Sequence, residues 1–125
     1  MAYLLDTHAL LWWLGDDERL PPRARELLGS PDEEVYVSAA SGWEIAIKKA
    51  LGKLRAPDNL AAIIEDEGLQ HLSIRFSHAE RAGALPPIHR DPFDRMLVAQ
   101  CKVEGLTLVT GDPTIPRYKV KTLWD

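Results

Sequence analysis

The sequence predicts a three-layer α/β domain with a short, mostly parallel central sheet flanked by helices. Short apolar runs such as residues 3–5 and 106–110 alternate along the chain with segments of helical periodicity. Apolar runs without polar alternation are typical of parallel strands that are buried on both faces. The 125 residues, 46% hydrophobic and 27% charged, are enough for one core, so a single domain over residues 1–125 is expected.

Three further runs complete the predicted sheet. Residues 35–37 are β-branched and aromatic, residues 71–74 form a third strand, and residues 118–123 alternate weakly, as an edge strand does. Between the strands, capping residues, prolines and glycines delimit the helices. The predicted helices cover residues 8–14, 23–28, 39 to about 51, 59–67, 77 to about 85, and 92–104, the fifth beginning at a Ser77–Glu80 capping box.

Composition limits the classes of protein that fit. The single cysteine, Cys101, excludes an internal disulfide and predicts a reducing, cytoplasmic location. The most apolar window, residues 3–14, is too short to cross a bilayer and follows no basic segment, so neither membrane insertion nor a signal peptide is expected. A net charge of −4 argues against nucleic-acid binding through bulk electrostatics, but it suits an acidic site that a divalent metal neutralises.

Five acids from four segments are predicted to converge on one edge of the sheet. Asp6 directly follows the first strand, and Asp112 follows the fourth by two residues. Glu44 lies early in the helix after the second strand, and Asp91 and Asp94 lie at the N-terminus of the helix over residues 92–104. Because ligands of open parallel sheets bind beyond the carboxyl ends of the strands, these side chains are expected to share a crevice.

Such a cluster favours metal-dependent chemistry. Carboxylates a few ångströms apart must either share protons or bind a cation. A ligand set made only of oxygen suits Mg²⁺ or Mn²⁺, which activates water and stabilises the leaving oxygen in phosphodiester hydrolysis. The pattern therefore predicts a metal-dependent phosphodiesterase or nuclease.

Each acid also has an ordinary structural explanation. Asp91 reads as the N-cap ahead of Pro92, and Glu44 completes a capping box with Ser41. Asp94 in the first helical turn is favoured by the helix dipole, and Asp112 begins a common turn. Individually these signals are weak, and only the joint placement of the acids is specific.

Other catalytic classes find no support. The four histidines lack metal-ligand spacing, which argues against zinc, and no nucleophile elbow, P-loop or dinucleotide fingerprint is present. Cys101 and the tryptophans at 12, 13 and 43 are expected in the core. Because Trp12 and Trp13 are adjacent on one helix, they cannot both face the same core, and one of them is left to line a groove for a partner. Four basic residues form either a solvated face or a guide for a phosphate backbone: Lys48, Lys49, Lys53 and Arg55.

Four motifs in order resemble the PIN-domain ribonucleases, and among them the VapC-type toxins of toxin–antitoxin pairs. They are D-T-H at 6–8, S-A-A-S-G-W-E-I-A-I-K-K at 38–49, H-R-D-P-F-D-R at 89–95 and L-V-T-G-D at 108–112. The resemblance implies a PIN-like fold and a Mg²⁺ or Mn²⁺ site. Asp6 and Asp94 would hold the principal metal, and Glu44 and Asp112 would complete the catalytic set directly or through water. Asp91, Thr110 and Arg95 are accessory candidates.

The resemblance also implies partners. The protein would be an endoribonuclease toxin acting on RNA and held inactive by a cognate VapB-type antitoxin, whose apolar helix lies in a groove and whose tail reaches the acids. It would form a homodimer and contact DNA only through the antitoxin. Gly42 and Gly111 depart from the residues common in this family, which affects the helix start and the loop shape.

Two alternatives come from other classes of protein. A receiver-like phosphoacceptor domain also gathers aspartates at strand ends, but it needs paired acids after the first strand, where this chain has only Asp6. A non-catalytic PIN-like binding module would keep the fold for partner contact, but it would not need the complete acidic set.

Overall fold

The computed structural model describes residues 1–125 and contains one sheet of five parallel strands. The sheet order is β3-β2-β1-β4-β5, so β1 lies at its centre. The predicted fold class is therefore confirmed. The strands are β1 (Ala2–Leu5), β2 (Glu34–Ser38), β3 (Gln70–Leu72), β4 (Thr107–Val109) and β5 (Thr122–Leu123).

Six α-helices flank this sheet and a short 3-10 helix, Ile115–Tyr118, precedes β5. Their local sequence explains where they begin: Ser38 caps the third through the Ala40 amide at 3.0 Å. The helices are α1 (Thr7–Leu14), α2 (Pro22–Leu28), α3 (Ala39–Ala50), α4 (Leu60–Asp66), α5 (Phe76–Ala84) and α6 (Pro92–Glu104).

The two faces of the sheet carry separate hydrophobic cores. Because side chains alternate along a strand, Tyr3 and Leu5 of β1 belong to one core and Leu4 belongs to the other. Residues of α1, α2 and α3 pack on the first face, whereas α6 supplies Leu97, Val98 and Cys101 to the second. This arrangement is the predicted three-layer architecture, and Cys101 is buried as expected.

Helix α6 begins as the sequence predicts. The Asp91 carboxylate accepts hydrogen bonds from the Phe93 and Asp94 amides at 2.9 and 3.1 Å, and Pro92 occupies the first helical position. The helix ends at Gly105, whose φ of 71° is the left-handed conformation that glycine adopts readily. Asp94 is thereby fixed in the first turn, at the carboxyl edge of the sheet.

Several local predictions are wrong. The third strand covers only Gln70–Leu72, because it pairs with β2 and β2 ends at Ser38, opposite Leu72. The Ser77–Glu80 capping box does not form; the fully buried His78 ring accepts the Arg75 amide at 2.9 Å instead.

The edge strand predicted at residues 118–123 shrinks to Thr122–Leu123, because the 3-10 helix runs to Tyr118 and Lys119 turns left-handed with φ of 59°. Trp43 is also misplaced by the sequence analysis. It is 63% exposed on α3 and meets Phe93 of α6 edge to face, with ring centroids 5.4 Å apart. None of the helices is long and apolar enough to cross a membrane.

Candidate metal centre

Asp6 lies buried where the central strand ends. Its carboxylate caps α1 by accepting the Ala9 amide at 2.7 Å, and the Thr110 hydroxyl approaches it from the loop after β4. Burial raises the pKa of the Asp6 carboxyl, while the Thr110 hydroxyl and the Ala9 amide act in the opposite direction. The strand end thus holds one carboxylate in place from two elements.

Glu44 is buried on α3 beside the start of α1. The Thr7 hydroxyl donates to Glu44 Oε1 at 2.7 Å and lies 3.0 Å from Ser41 Oγ. Lys48, one turn later, donates to Glu44 Oε2 at 2.6 Å. The expected Ser41–Glu44 capping box is therefore absent: both side chains bond Thr7, 34 and 37 residues away in the sequence.

Asp94 and Asp112 come together with His89. One ligand atom from each of these three residues lies within 4.8 Å of the other two. Burial, followed by the charges of Asp91 and Asp112, raises the pKa of the Asp94 carboxyl from its ordinary value of 3.8 to about 7. Mutual repulsion among half-buried carboxylates is the electrostatic condition under which a divalent cation binds favourably.

The sequence analysis placed His89 in the motif at 89–95 but did not predict it as a metal ligand. Its Nδ1 lies 2.6 Å from the Tyr118 hydroxyl, which also accepts a hydrogen bond from Arg95 at 3.3 Å. Its Nε2 is buried without a hydrogen-bond partner and lies 3.4 Å from Asp94 Oδ2. An imidazole oriented through one nitrogen, with the other unpaired beside carboxylates, is the usual arrangement of a metal-ligating histidine.

These residues fit a divalent cation. The two carboxylates suit Mg²⁺ or Mn²⁺, and the imidazole nitrogen is a donor that the expected all-oxygen set did not include. Asp6 does not belong to the 4.8 Å group, although its carboxyl senses the charge of Asp112. The motif at 89–95 was the only sequence signal for His89, because the Tyr118 hydroxyl that orients its ring lies 29 residues away along the chain.

The accessory residues have different surroundings. Thr110 lies between two acids: its hydroxyl lies close to Asp6, and its oxygen accepts the Asp112 amide at 3.2 Å. Arg95 forms no ion pair with the acids and donates to backbone carbonyls in the last turn of α5 and just after it, those of Ala82, Leu85 and Pro86, at 2.8–3.0 Å. Arg95 therefore stabilises the loop that leads to His89.

The four basic residues proposed as an RNA guide have different surroundings. Lys48 is paired with Glu44, and its pKa is raised, mainly by that hydrogen bond. Lys49 binds Asp58 at 2.8 Å, while Lys53 and Arg55 are exposed. Only Lys48 lies close enough to the acids to offset their charge.

Family comparison agrees with this geometry. A model of the PIN domain matches residues 3–121, which includes every acid described above. The chain belongs to the PIN-domain family. This PIN-domain chain is also 33% identical over 124 residues to Ribonuclease VapC22 of Mycobacterium tuberculosis, covering 93% of its own length and 91% of that relative. The family resemblance predicted from the four motifs is confirmed.

Solved structures share the PIN fold. A chain of the Rickettsia felis VapBC2 complex with a promoter DNA fragment superposes with a TM-score of 0.74 at 17% identity, with full coverage of both chains. A chain of DNA-bound VapBC from Salmonella typhimurium gives 0.69 at 18% identity, covering 98% and 97%. FitAcB of Neisseria gonorrhoeae gives 0.64 at 20% identity, covering 97% and 96%.

Proposed function

We propose that residues 1–125 form one PIN-like domain that acts as a metal-dependent endoribonuclease toxin, hydrolysing RNA phosphodiester bonds. The observation that carries this proposal is the meeting of Asp94, Asp112 and the unpaired His89 nitrogen, with the Asp6 carboxyl near enough to sense the charge of Asp112. The similarity to a protein named Ribonuclease VapC22 supports RNA as the substrate. The family match favours this function over a receiver-like domain, and the complete acidic set favours it over a non-catalytic module.

The cofactor is Mg²⁺ or Mn²⁺. Asp6 and Asp94 would hold the principal ion, Glu44 and Asp112 would complete the site directly or through water, and His89 would add a nitrogen ligand. When bound, the ion supplies Lewis-acid stabilisation of phosphate charge and activation of water.

The remaining work falls to residues of this chain. Thr110 and Thr7 orient two of the acids, those at positions 6 and 44. Lys48 offsets their negative charge and lowers the repulsion that an approaching phosphate meets. Tyr118 fixes the ring of His89 so that Nε2 faces Asp94.

The proposal includes a partner and a location. A VapB-type antitoxin inhibits the protein and carries it to DNA, and the toxin forms a homodimer in the cytoplasm. Support comes from the solved structures of the same fold, which are described as VapBC and FitAcB complexes, some bound to DNA. Co-purification with the product of an adjacent short reading frame tests the partner.

Replacement of single acids tests the catalytic proposal. Asp6→Asn or Asp94→Asn should abolish cleavage of defined RNAs by the purified protein while its circular dichroism and melting cooperativity remain those of the wild type. Asp32→Asn, which removes an exposed acid remote from the cluster, is the matched control and should cleave normally. Full activity of both site variants in Mg²⁺ and Mn²⁺ would refute the assignment.

A further inference from the structure

A cavity of about 380 Å³ opens beside the acids and has no role in the function proposed above. Asp6 and Asp112 border it on one side, and the indoles of Trp12 and Trp124 form its aromatic walls. This volume lies at the lower end of the roughly 300–1,000 Å³ typical of small-ligand sites. The cavity therefore has room for a flat, ring-sized group next to the carboxylates.

The backbone of this chain fixes one wall. Strand β5 pairs with β4 through the Thr110 amide and the Leu123 carbonyl at 3.2 Å, which brings Trp124 over Gly111. A Cβ at position 111 would lie 2.5 Å from the Trp124 indole, so only glycine permits this approach. Gly111, which differs from the residues common in the family at this position, thus leaves room for Trp124 at the edge of the site.

The other wall comes from α1. The centroids of the Trp12 and Trp124 rings are 5.8 Å apart and their planes are inclined by 48°, so the rings meet at an angle and do not stack on each other. The Arg19 guanidinium lies 4.7 Å from the Trp12 centroid and is held by Asp17 at 2.7 Å. Trp13, its neighbour in the sequence, instead faces Gly29 at the end of α2.

Charge distinguishes this cavity from an apolar groove for a peptide helix. Arg19 and the exposed His8 line it together with the two carboxylates, so four ionisable side chains surround the two indoles. Aromatic walls stack any base, and a nearby arginine contributes cation–π and phosphate contacts. An unpaired base can lay its ring on aromatic side chains in an open cleft of this kind, whereas a base that is paired and stacked in a duplex cannot.

We propose that this cavity is a base-binding subsite for single-stranded RNA, in which Trp12 and Trp124 hold an unpaired base next to the phosphate at the acids. The inference rests on the proposed function, since it places the scissile phosphate at the metal centre. It assigns to this site a nucleotide contact that depends on the base and not only on the backbone.

Binding measurements test the subsite apart from cleavage. In the Asp94→Asn background, fluorescence anisotropy compares an oligouridine with an abasic ribose-phosphate oligomer of equal length. The oligouridine should bind at least about tenfold more tightly, as one stacked base predicts. Trp12→Leu and Trp124→Leu should each remove most of that preference and leave abasic binding unchanged.

Trp13→Leu is the matched control, because it makes the same change at the adjacent position outside the cavity; it should retain the preference. Melting curves for each variant confirm that it is folded. An unchanged base preference in both cavity variants would overturn the inference. The inference would also be overturned if the two cavity variants lost only the binding of an antitoxin peptide and kept the base preference.

The two proposals can fail separately. Metal-dependent cleavage together with equal binding of oligouridine and abasic oligomer would overturn the subsite and leave the ribonuclease proposal standing. A base preference that depends on the two tryptophans, in a protein that cleaves no RNA, would support the subsite and refute the catalytic proposal.

Discussion

Asp94→Asn should stabilise the metal-free protein at alkaline pH, although it should abolish activity. The pKa of Asp94 is raised to about 7 because the side chain is largely buried beside Asp91 and Asp112. Below pH 3.8 the carboxyl is protonated in both the folded and unfolded states. Between pH 3.8 and about 7 only the folded state keeps the proton, so the free energy of unfolding falls as the pH rises. Above about pH 7 Asp94 is ionised in both states, and the full cost of its charge in the folded state is present.

The size of this effect follows from the same numbers. The difference between a pKa of 3.8 in the unfolded state and one of about 7 in the folded state corresponds to a loss of at most about 4 kcal/mol in the free energy of unfolding. The Asp94 side chain keeps 26% of its exposure, so solvent screens part of the repulsion. We therefore expect the asparagine variant to be more stable than the wild type by about 2 kcal/mol near pH 8, and by under about 1 kcal/mol near pH 5.

Urea denaturation of protein treated with EDTA measures this difference at both pH values. Asp32→Asn, an exposed acid, should show no difference that depends on pH. Adding Mn²⁺ near pH 8 should stabilise the wild type more than the Asp94 variant, because the ion binds the folded state of the intact site. If the variant were less stable than the wild type near pH 8 without metal, the argument that burial and neighbouring charges make the ionised Asp94 destabilising would be refuted.

Two further predictions concern the residues that orient the site. His89→Gln and Tyr118→Phe should each weaken Mn²⁺ binding about tenfold or more in titration calorimetry. The first change removes the nitrogen ligand, and the second removes the hydroxyl that orients it. An unchanged Mn²⁺ affinity in His89→Gln would exclude the imidazole from the metal site. Thr7→Val should lower the free energy of unfolding by about 1–3 kcal/mol, because it leaves a buried Glu44 oxygen without its donor. Thr114→Val, whose hydroxyl makes no such bond, should change it by less than about 0.5 kcal/mol, and equal effects of the two changes would contradict this explanation.

The features that the sequence predicted well depend on neighbouring residues. Asp91 caps α6 because its partners are the amides two and three positions later, and Pro92 and Gly105 mark the ends of the same helix. The position of Asp6 after a central strand was likewise predictable, since a short apolar run at the N-terminus is best accommodated inside a parallel sheet.

The errors arise from contacts between distant segments. His78 replaces the predicted Ser77 cap because α6 buries its ring and Glu104 accepts at 2.8 Å across 26 positions. Trp43 was assigned to the core by residue type alone. The buried face of α3 consists of positions 40, 41, 44 and 45, so helical periodicity turns position 43 outward. This periodicity was visible in the sequence, but Trp43 was assigned by its hydrophobic character instead.

Metal reconstitution of RNA cleavage provides the plainest test of the proposed chemistry. The purified wild-type protein, freed of its antitoxin and treated with EDTA, should leave a defined single-stranded RNA intact. Addition of Mn²⁺ or Mg²⁺ should restore cleavage, and the Asp94→Asn protein should remain inactive with either ion. Cleavage that persists undiminished in EDTA, or an RNA left intact with both ions, would contradict a metal-dependent ribonuclease.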